Sequence, residues 1–176
     1  MAISKKAQAA IDGALSLDAP SDQVGLGVDI VEVARMRRIL ERTPSFAART
    51  FSEGERAYCD GQADPAKHYA ARFAAKEAAL KALGTGFAEG IGVRDVEVSR
   101  SAKGRPTLVL HGCARELART MGVTDMPLSL SHSTSDAIAC VIAITEGSQA
   151  AARKRVDPTE ELTRQFKEAR GMLDSL

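Results

Sequence analysis

The segment that most limits how this chain can fold is "DPAKHYAARFAAKEAALKALG", residues 64–84, an alanine-rich run between strong boundary signals. Asp64 suits a helix cap, Pro65 a first helical position and Gly84 a helix end. The spacing predicts one long helix with Tyr69, Phe73, Leu80 and Leu83 facing a core. Glu77 and Lys81 lie about 40° apart on its flank. Ala66, Ala70 and Ala74 line the same flank, so nothing bulky screens the pair. An ion pair at this spacing contributes only about 0.3–0.5 kcal/mol. It accounts neither for the stripped flank nor for Gly84, Thr85 and Gly86, which follow at once. Both features point to space kept for a ligand.

Upstream, "VGLGVDIVEV" (residues 24–33) reads as a strand. Val24, Leu26, Val28 and Ile30 alternate, which puts Gly25, Gly27 and Asp29 on the opposite face. Asp29 is then either an ordinary strand-end aspartate or a carboxylate with room beside it for a polar ligand or metal. "VARMRRILERTP" follows as a helix that yields before Pro44. Val33, Met36 and Leu40 share one face, and Arg35, Arg38 and Arg42 the other. A solvated basic face is the plain reading, and an acidic partner the functional one.

Downstream, "VRDVEVSR" and "TLVLHG" read as a hairpin across the "KGRP" turn, and "CARELARTMG" as a short amphipathic helix. "MPLSLSHS" and "DAIACVIAI" are two more strands, the last apolar throughout and so central. The order predicts an α+β domain with a mainly antiparallel sheet over residues 24–145. Residues 1–23 form an N-terminal extension with a short helix and a turn at "DAPSD". Residues 146–176 form a C-terminal extension, with Asp157 and Pro158 opening a helix striped by Leu162, Phe166 and Ala169.

Composition removes several classes. A net charge of +1 and 4% aromatic residues argue against a nucleic-acid surface. No apolar run reaches membrane-spanning length, and Asp12 interrupts what a signal peptide would need. Cys59, Cys113 and Cys140, odd in number and widely spaced, read as small hydrophobes of a reducing cytoplasm.

Asp29 and Glu77 are hard oxygen ligands that suit Mg²⁺, which shares its shell with water and substrate phosphates. Lys81 beside them fits a place where negative charge develops on phosphate oxygens. The "GTG" turn offers backbone N–H groups to a phosphate, and His132 in "SLSHS" suits a phosphate or ribose contact. No nucleophile elbow accompanies that histidine, which argues against a serine hydrolase.

As an ordered set, "GLGVDIVEVARM", "FSEGERAYC", "ARFAAKEAALKALGTGF", "GVRDVEV", "GRPTLVL" and "SLSHS" closely resemble the holo-acyl-carrier-protein synthase family of 4′-phosphopantetheinyl transferases. The resemblance implies a sheet wrapped around a long helix and a homotrimer with active sites at subunit boundaries. It implies Mg²⁺-dependent transfer of the phosphopantetheine arm of coenzyme A to a serine of apo acyl carrier protein, with adenosine 3′,5′-bisphosphate released. By motif, Asp29 and Glu77 would hold the metal, and Glu77, directly or through a water, would accept the serine proton. Lys81 would neutralise the pyrophosphate. Gly84, Thr85, Gly86, Arg105, Pro106 and His132 would border the nucleotide, and Arg35 and Arg42 would dock the acidic carrier. Arg105 stands where the family more often has lysine, which keeps the charge and changes the donor geometry. The competing readings are a non-catalytic coenzyme A or nucleotide-binding module of the same fold, and an interaction protein whose basic helix binds an acidic partner. Neither needs Asp29, Glu77 and Lys81 together.

Overall fold

The computed structural model describes residues 24–85, 90–154 and 158–173. Strand β1 (Gly25–Glu32) leads into helices α1 (Val33–Arg42), α2 (Ser45–Thr50), α3 (Glu53–Asp60) and the long α4 (Pro65–Ala82). The hairpin β2 (Val96–Arg100) and β3 (Pro106–Leu110) and helix α5 (Gly112–Thr120) come next. Strands β4 (Val123–Asp125), β5 (Leu128–His132) and β6 (Asp136–Thr145) follow, then helices α6 (Glu146–Lys154) and α7 (Pro158–Leu173).

The first sheet is antiparallel and built on β6. The apolar β6 pairs with β1 along one side, Gly25 opposite Ala143 through Glu32 opposite Asp136. Its other side pairs with β5 and then β4. The β2–β3 hairpin forms a second sheet. Helix α4 packs on the inner face of the first sheet, where Ala137, Ala139, Val141 and Ala143 of β6 are all buried. This is the α+β architecture that the order of elements predicts.

The closeness of that packing is written in glycine and alanine. A Cβ on Gly27 would fall 1.9 Å from the Ala78 carbonyl oxygen, and one on Gly25 2.0 Å from that of Ala82. The backbone of β1 therefore lies directly against the backbone of α4. Ala66, Ala70 and Ala74, expected to leave open space, are likewise buried. The small residues make room for the neighbouring element, which corrects the expectation that they make room for a ligand.

Other differences follow from length. The strand expected from residue 93 opens with a 3₁₀ turn, Val93–Asp95, and is extended only from Val96. Helices α2 and α3 and the three-residue β4 lie below the span that periodicity resolves. The expected N-terminal helix and the Asp157 cap lie outside the described residues, while α7 does begin at Pro158. No described helix is long and apolar enough to cross a membrane.

Among the described residues the outer face of the first sheet carries exposed apolar side chains. Val24, Leu26, Val28 and Ile30 do share one face, as their alternation requires, but it points away from α4. Leu26 and Ile30 are 62% and 61% exposed, and Ile138 and Ile142 of β6 stand beside them.

Candidate active site

Asp29 lies on the inner face of β1, with Ala139 of β6 as its cross-strand partner. The glycine contact with α4 brings it to Lys81, whose Nζ donates to Asp29 Oδ1 at 2.7 Å and to the Val28 carbonyl oxygen at 3.1 Å. The sequence suggested Glu77 as the partner of Lys81. The ammonium instead reaches across to the strand, and Glu77 keeps its carboxylate for the space in front of α4. Partial burial pushes the Glu77 pKa above the usual carboxylate range, and the Asp29 charge adds to this while Lys81 opposes it. Two carboxylates thus stand near enough for their charges to interact, with Lys81 beside them to offset that charge.

Both carboxylates line one cavity of about 420 Å³. Arg35 borders it as well, and Ile39, Phe46 and Phe73 form apolar walls. Arg42, in the last turn of α1, is exposed and does not line this cavity. Of the basic stripe, Arg38 has an acidic neighbour, and Arg37 beside the stripe is committed to Asp64. Arg37 Nη2 bonds both oxygens of Asp64 at 2.9 and 3.0 Å, and Arg38 has Glu32 at 3.8 Å. That first contact also draws the Asp64 side chain away from the capping role its position suggested.

The turn after α4 is a Schellman motif. Gly84 N–H donates to Lys81 O at 3.0 Å and Thr85 N–H to Leu80 O at 3.2 Å, with Gly84 at φ 74°. Those two amides are engaged in ending the helix, so neither is free for a phosphate, contrary to the sequence expectation. Gly86 lies outside the described residues.

His132 closes β5 and does not line the Asp29–Glu77 cavity. Its ring meets His68 edge-on at 5.6 Å, and His68 meets Tyr58 in the same way at 5.6 Å. Two guanidiniums lie over the Tyr58 ring, Arg72 at 3.9 Å and Arg100 at 4.9 Å. Arg72 is 4% exposed, and its Nε has no hydrogen-bond partner among the described residues. Burial lowers the His68 pKa, with the charges of His132 and Arg72 acting in the same direction. Pro106 is paired with Arg100, so the Arg105–Pro106 end of the hairpin abuts this cluster. A second cationic group therefore stands on the molecule, apart from the carboxylates.

The sequence reading missed Arg72, Lys76 and Glu55. Lys76 donates to Glu55 Oε2 at 2.9 Å and to the Val96 carbonyl oxygen, at 0% exposure. Glu55 also accepts from the backbone N–H of Ser52 at 2.8 Å and of Val98 at 2.9 Å. The signal was available. Tyr69, Arg72, Lys76 and Leu80 follow at helical spacing on a core-facing stripe, and a lysine there demands a buried carboxylate. Ser52 and Glu55 carry the capping-box spacing that places it.

Residues 25–141 match the family model of the 4′-phosphopantetheinyl transferase superfamily, and the chain belongs to that family. It is 52% identical over 123 residues to the holo-[acyl-carrier-protein] synthase of Anaeromyxobacter dehalogenans strain 2CP-1, which covers 68% of this chain and 94% of the relative. Among solved structures it is similar to holo-[acyl-carrier-protein] synthase from Neisseria meningitidis, with TM-score 0.64, 30% identity, and 69% of this chain and 98% of that one covered. The Helicobacter pylori enzyme in complex with coenzyme A superposes with TM-score 0.60 at 30% identity, covering 68% of this chain and 99% of that one.

Proposed function

We propose that this protein transfers the 4′-phosphopantetheine group of coenzyme A to a serine hydroxyl of an acidic acyl carrier protein and releases adenosine 3′,5′-bisphosphate. The observation that carries this reading is the convergence of Asp29, Glu77 and Arg35 on one cavity, with Lys81 bonded to Asp29. Two acidic groups, a fixed ammonium and a basic rim are what a pyrophosphate donor and an acidic acceptor require.

In the reaction the serine oxygen forms a bond to the β-phosphorus, and the bond from that phosphorus to the bridging pyrophosphate oxygen breaks. Glu77, which lines the cavity, takes the serine proton in this reading, directly or through a water. Lys81 offsets the charge that gathers on the departing phosphate. The donor set fits Mg²⁺. Two carboxylates line one cavity, and among the described residues no group of three or more histidine, cysteine, aspartate or glutamate side chains could hold a metal ion by itself. Asp29 and Glu77 would hold the ion, with water and phosphate oxygens filling the remaining positions. Bound there, Mg²⁺ supplies Lewis-acid neutralisation of the pyrophosphate charge.

Arg72, Arg100, His68 and His132, with Arg105 and Pro106 alongside, suit the anionic nucleotide end of coenzyme A. The unpartnered Arg72 Nε supports an anion there. Gly84, Thr85 and Gly86 border the nucleotide by position, without the amides of Gly84 and Thr85. Because Arg72, Arg100, His68 and His132 are not among the described residues that line the Asp29–Glu77 cavity, a second copy is the natural way to unite them. The exposed Leu26, Ile30 and Ile138 of the outer sheet face suit such a contact. A homotrimer closes the arrangement symmetrically. Arg35 and Arg42 receive the carrier, and Ile39, Phe46 and Phe73 offer its helix an apolar pocket. We place the transferase domain at residues 24–145, between extensions 1–23 and 146–176, and its work in the cytoplasm.

Intact-mass analysis of candidate apo carriers after incubation with coenzyme A and Mg²⁺ tests the reading. One phosphopantetheine added to serine is expected. Nucleotide-dependent thermal stabilisation with no adduct on any carrier would point to a binding module.

A further inference from the structure

We infer that Lys76 and Glu55 are positioning residues, whose buried ion pair fixes the roll of α4 and so aims Glu77 toward Asp29. The inference rests on the reading of Asp29 and Glu77 as the centre of the transferase site. Neither Lys76 nor Glu55 lines the cavity or reaches the reacting atoms.

The surface of α4 explains why such a device is needed. Ala70, Ala74, Ala75, Ala78 and Ala79 are all 0% exposed, and they meet glycine and alanine on the sheet. Helix–helix and helix–sheet contacts lock through side-chain ridges that enter grooves. Methyl groups against bare backbone allow close approach but make shallow ridges. Directional contacts must then set the roll of the helix. In its first half Tyr69 Oη donates to Asp60 at 2.8 Å. In its second half, beside Glu77, the buried anchor is Lys76. Its Nζ is held by Glu55 and by the Val96 carbonyl, which ties α4 to α3 and β2 at once. Glu55 is fixed in turn by the Ser52 and Val98 amides.

Lys76 directly precedes Glu77, so whatever sets the direction of one side chain sets the other, about 100° further round. A roll of about 20° moves a side-chain tip on a helix by about 2 Å. Misplacement by about 1 Å can lower a rate by about a hundredfold. A buried ion pair is a poor way to stabilise a core, because apolar residues of similar size do as well or better. Its presence here, one residue from Glu77, is explained by the orientation it enforces.

The test is the double variant Glu55→Gln/Lys76→Met in the full chain, which removes both charges together and leaves no uncompensated ion. The fold is expected to survive with a lower melting temperature, because the side-chain amide offers one acceptor oxygen where the carboxylate accepts the Ser52 and Val98 amides on two. kcat should fall by about tenfold or more, with both KM values within about twofold. Mn²⁺ binding in the presence of coenzyme A, followed by electron paramagnetic resonance, should weaken. A folded double variant with parental kcat and parental Mn²⁺ affinity overturns the inference. So does a loss of activity that matches only the loss of folded protein. If the double variant does not fold, Lys76→Arg decides. Its bulkier head must displace α4 from α3 and β2, so kcat and Mn²⁺ affinity should drop while KM holds; parental values overturn the inference. Glu77→Gln separates this from the parent reading, because full turnover in that variant removes the site itself.

Discussion

Two lysine–carboxylate pairs lie five residues apart on α4, and they differ in almost everything except chemistry. The side chains of Lys76 and Glu55 are 1% and 0% exposed at 2.9 Å, and each has a backbone group as a further partner. Lys81 and Asp29 are 48% and 17% exposed at 2.7 Å, and Asp29 lines a cavity. Burial lowers the Lys76 pKa below the ordinary lysine range, and Glu55 opposes this only in part. The first pair is closed to any newcomer. The second can exchange part of its partnership for a phosphate or a cation without being rebuilt. The same two side-chain types thus fasten a fold in one place and leave a site open in the other, and accessibility decides which.

The sharpest way to break that contrast is to remove one lysine at a time. Lys76→Met leaves the Glu55 carboxylate buried without its ion partner, which is expected to cost about 3–5 kcal/mol. Against a typical total of about 5–15 kcal/mol, this leaves a marginal or unfolded protein. Lys81→Met is expected to cost less than about 1 kcal/mol of stability, as for other exposed pairs. Its deficit should appear in turnover. Urea unfolding of both variants checks this, and equal losses of stability would abolish the distinction between the pairs.

The acidic partners of the open site give the next largest effect. Asp29→Asn and Glu77→Gln should each lower kcat by about 10²–10³. Glu77→Gln should not reduce the melting temperature at neutral pH. The raised pKa means that folding disfavours the charged carboxylate, so a neutral amide removes a penalty. Steady-state kinetics beside thermal unfolding checks both halves of the statement.

Gly27→Ala tests the contact on which both pairs depend. The added methyl would meet the Ala78 oxygen at 1.9 Å, and backbone cannot yield as a flexible side chain can. A loss of about 1–3 kcal/mol is expected, seen as a lower melting temperature. Turnover should fall too, since β1 carries Asp29.

Arg35 and Arg38 separate a docking charge from a local one. Arg35 borders the cavity, whereas Arg38 has Glu32 nearby. Arg35→Glu should raise KM for the carrier about tenfold with kcat little changed, and should weaken the salt dependence of binding. Arg38→Glu should do less. Kinetics over a salt series measures both.

How much of this was legible in the sequence depends on which partner a residue needs. The long helix, the alternation in β1 and the central β6 follow from local periodicity, and all three stand in the structure. Asp29, Glu77 and Lys81 could be singled out by residue type and by family resemblance, and the structure brings them together. What glycine and alanine leave room for is decided by a distant element, so the alanine flank reads in sequence as space for a ligand, and Gly25 and Gly27 leave open whether Asp29 has such space beside it. Lys81 could not be assigned to Asp29 for the same reason, since an i,i+4 glutamate is visible in the sequence and a cross-strand aspartate is not. The Schellman turn shows the limit in miniature. Gly84 is readable as a helix end, but only coordinates show that the end consumes the amides a phosphate would use.

Glu97 gives the smallest and finest comparison, because it stands between the two extremes. It is 28% exposed, accepts from Ser52 Oγ at 2.7 Å and meets His111 Nε2 at 2.9 Å. The Ser52 hydrogen bond is the main cause of a pKa below the ordinary 4.5, with His111 and Lys76 adding to it and partial burial opposing. A carboxylate whose folded pKa lies below its unfolded one stabilises the fold above the unfolded value. That contribution is lost as pH falls from about 4.5 through the lower, folded value. Glu97→Gln should therefore matter little well below the folded pKa, where the parent has lost the contribution, and most near neutrality. Solvent screening of this part-exposed group keeps the difference below about 1 kcal/mol. Urea midpoints of parent and variant should converge as the pH is lowered. Midpoints that stay a fixed distance apart at every pH would mean that Glu97 acts through its shape alone. It would then belong with neither of the two ionic pairs.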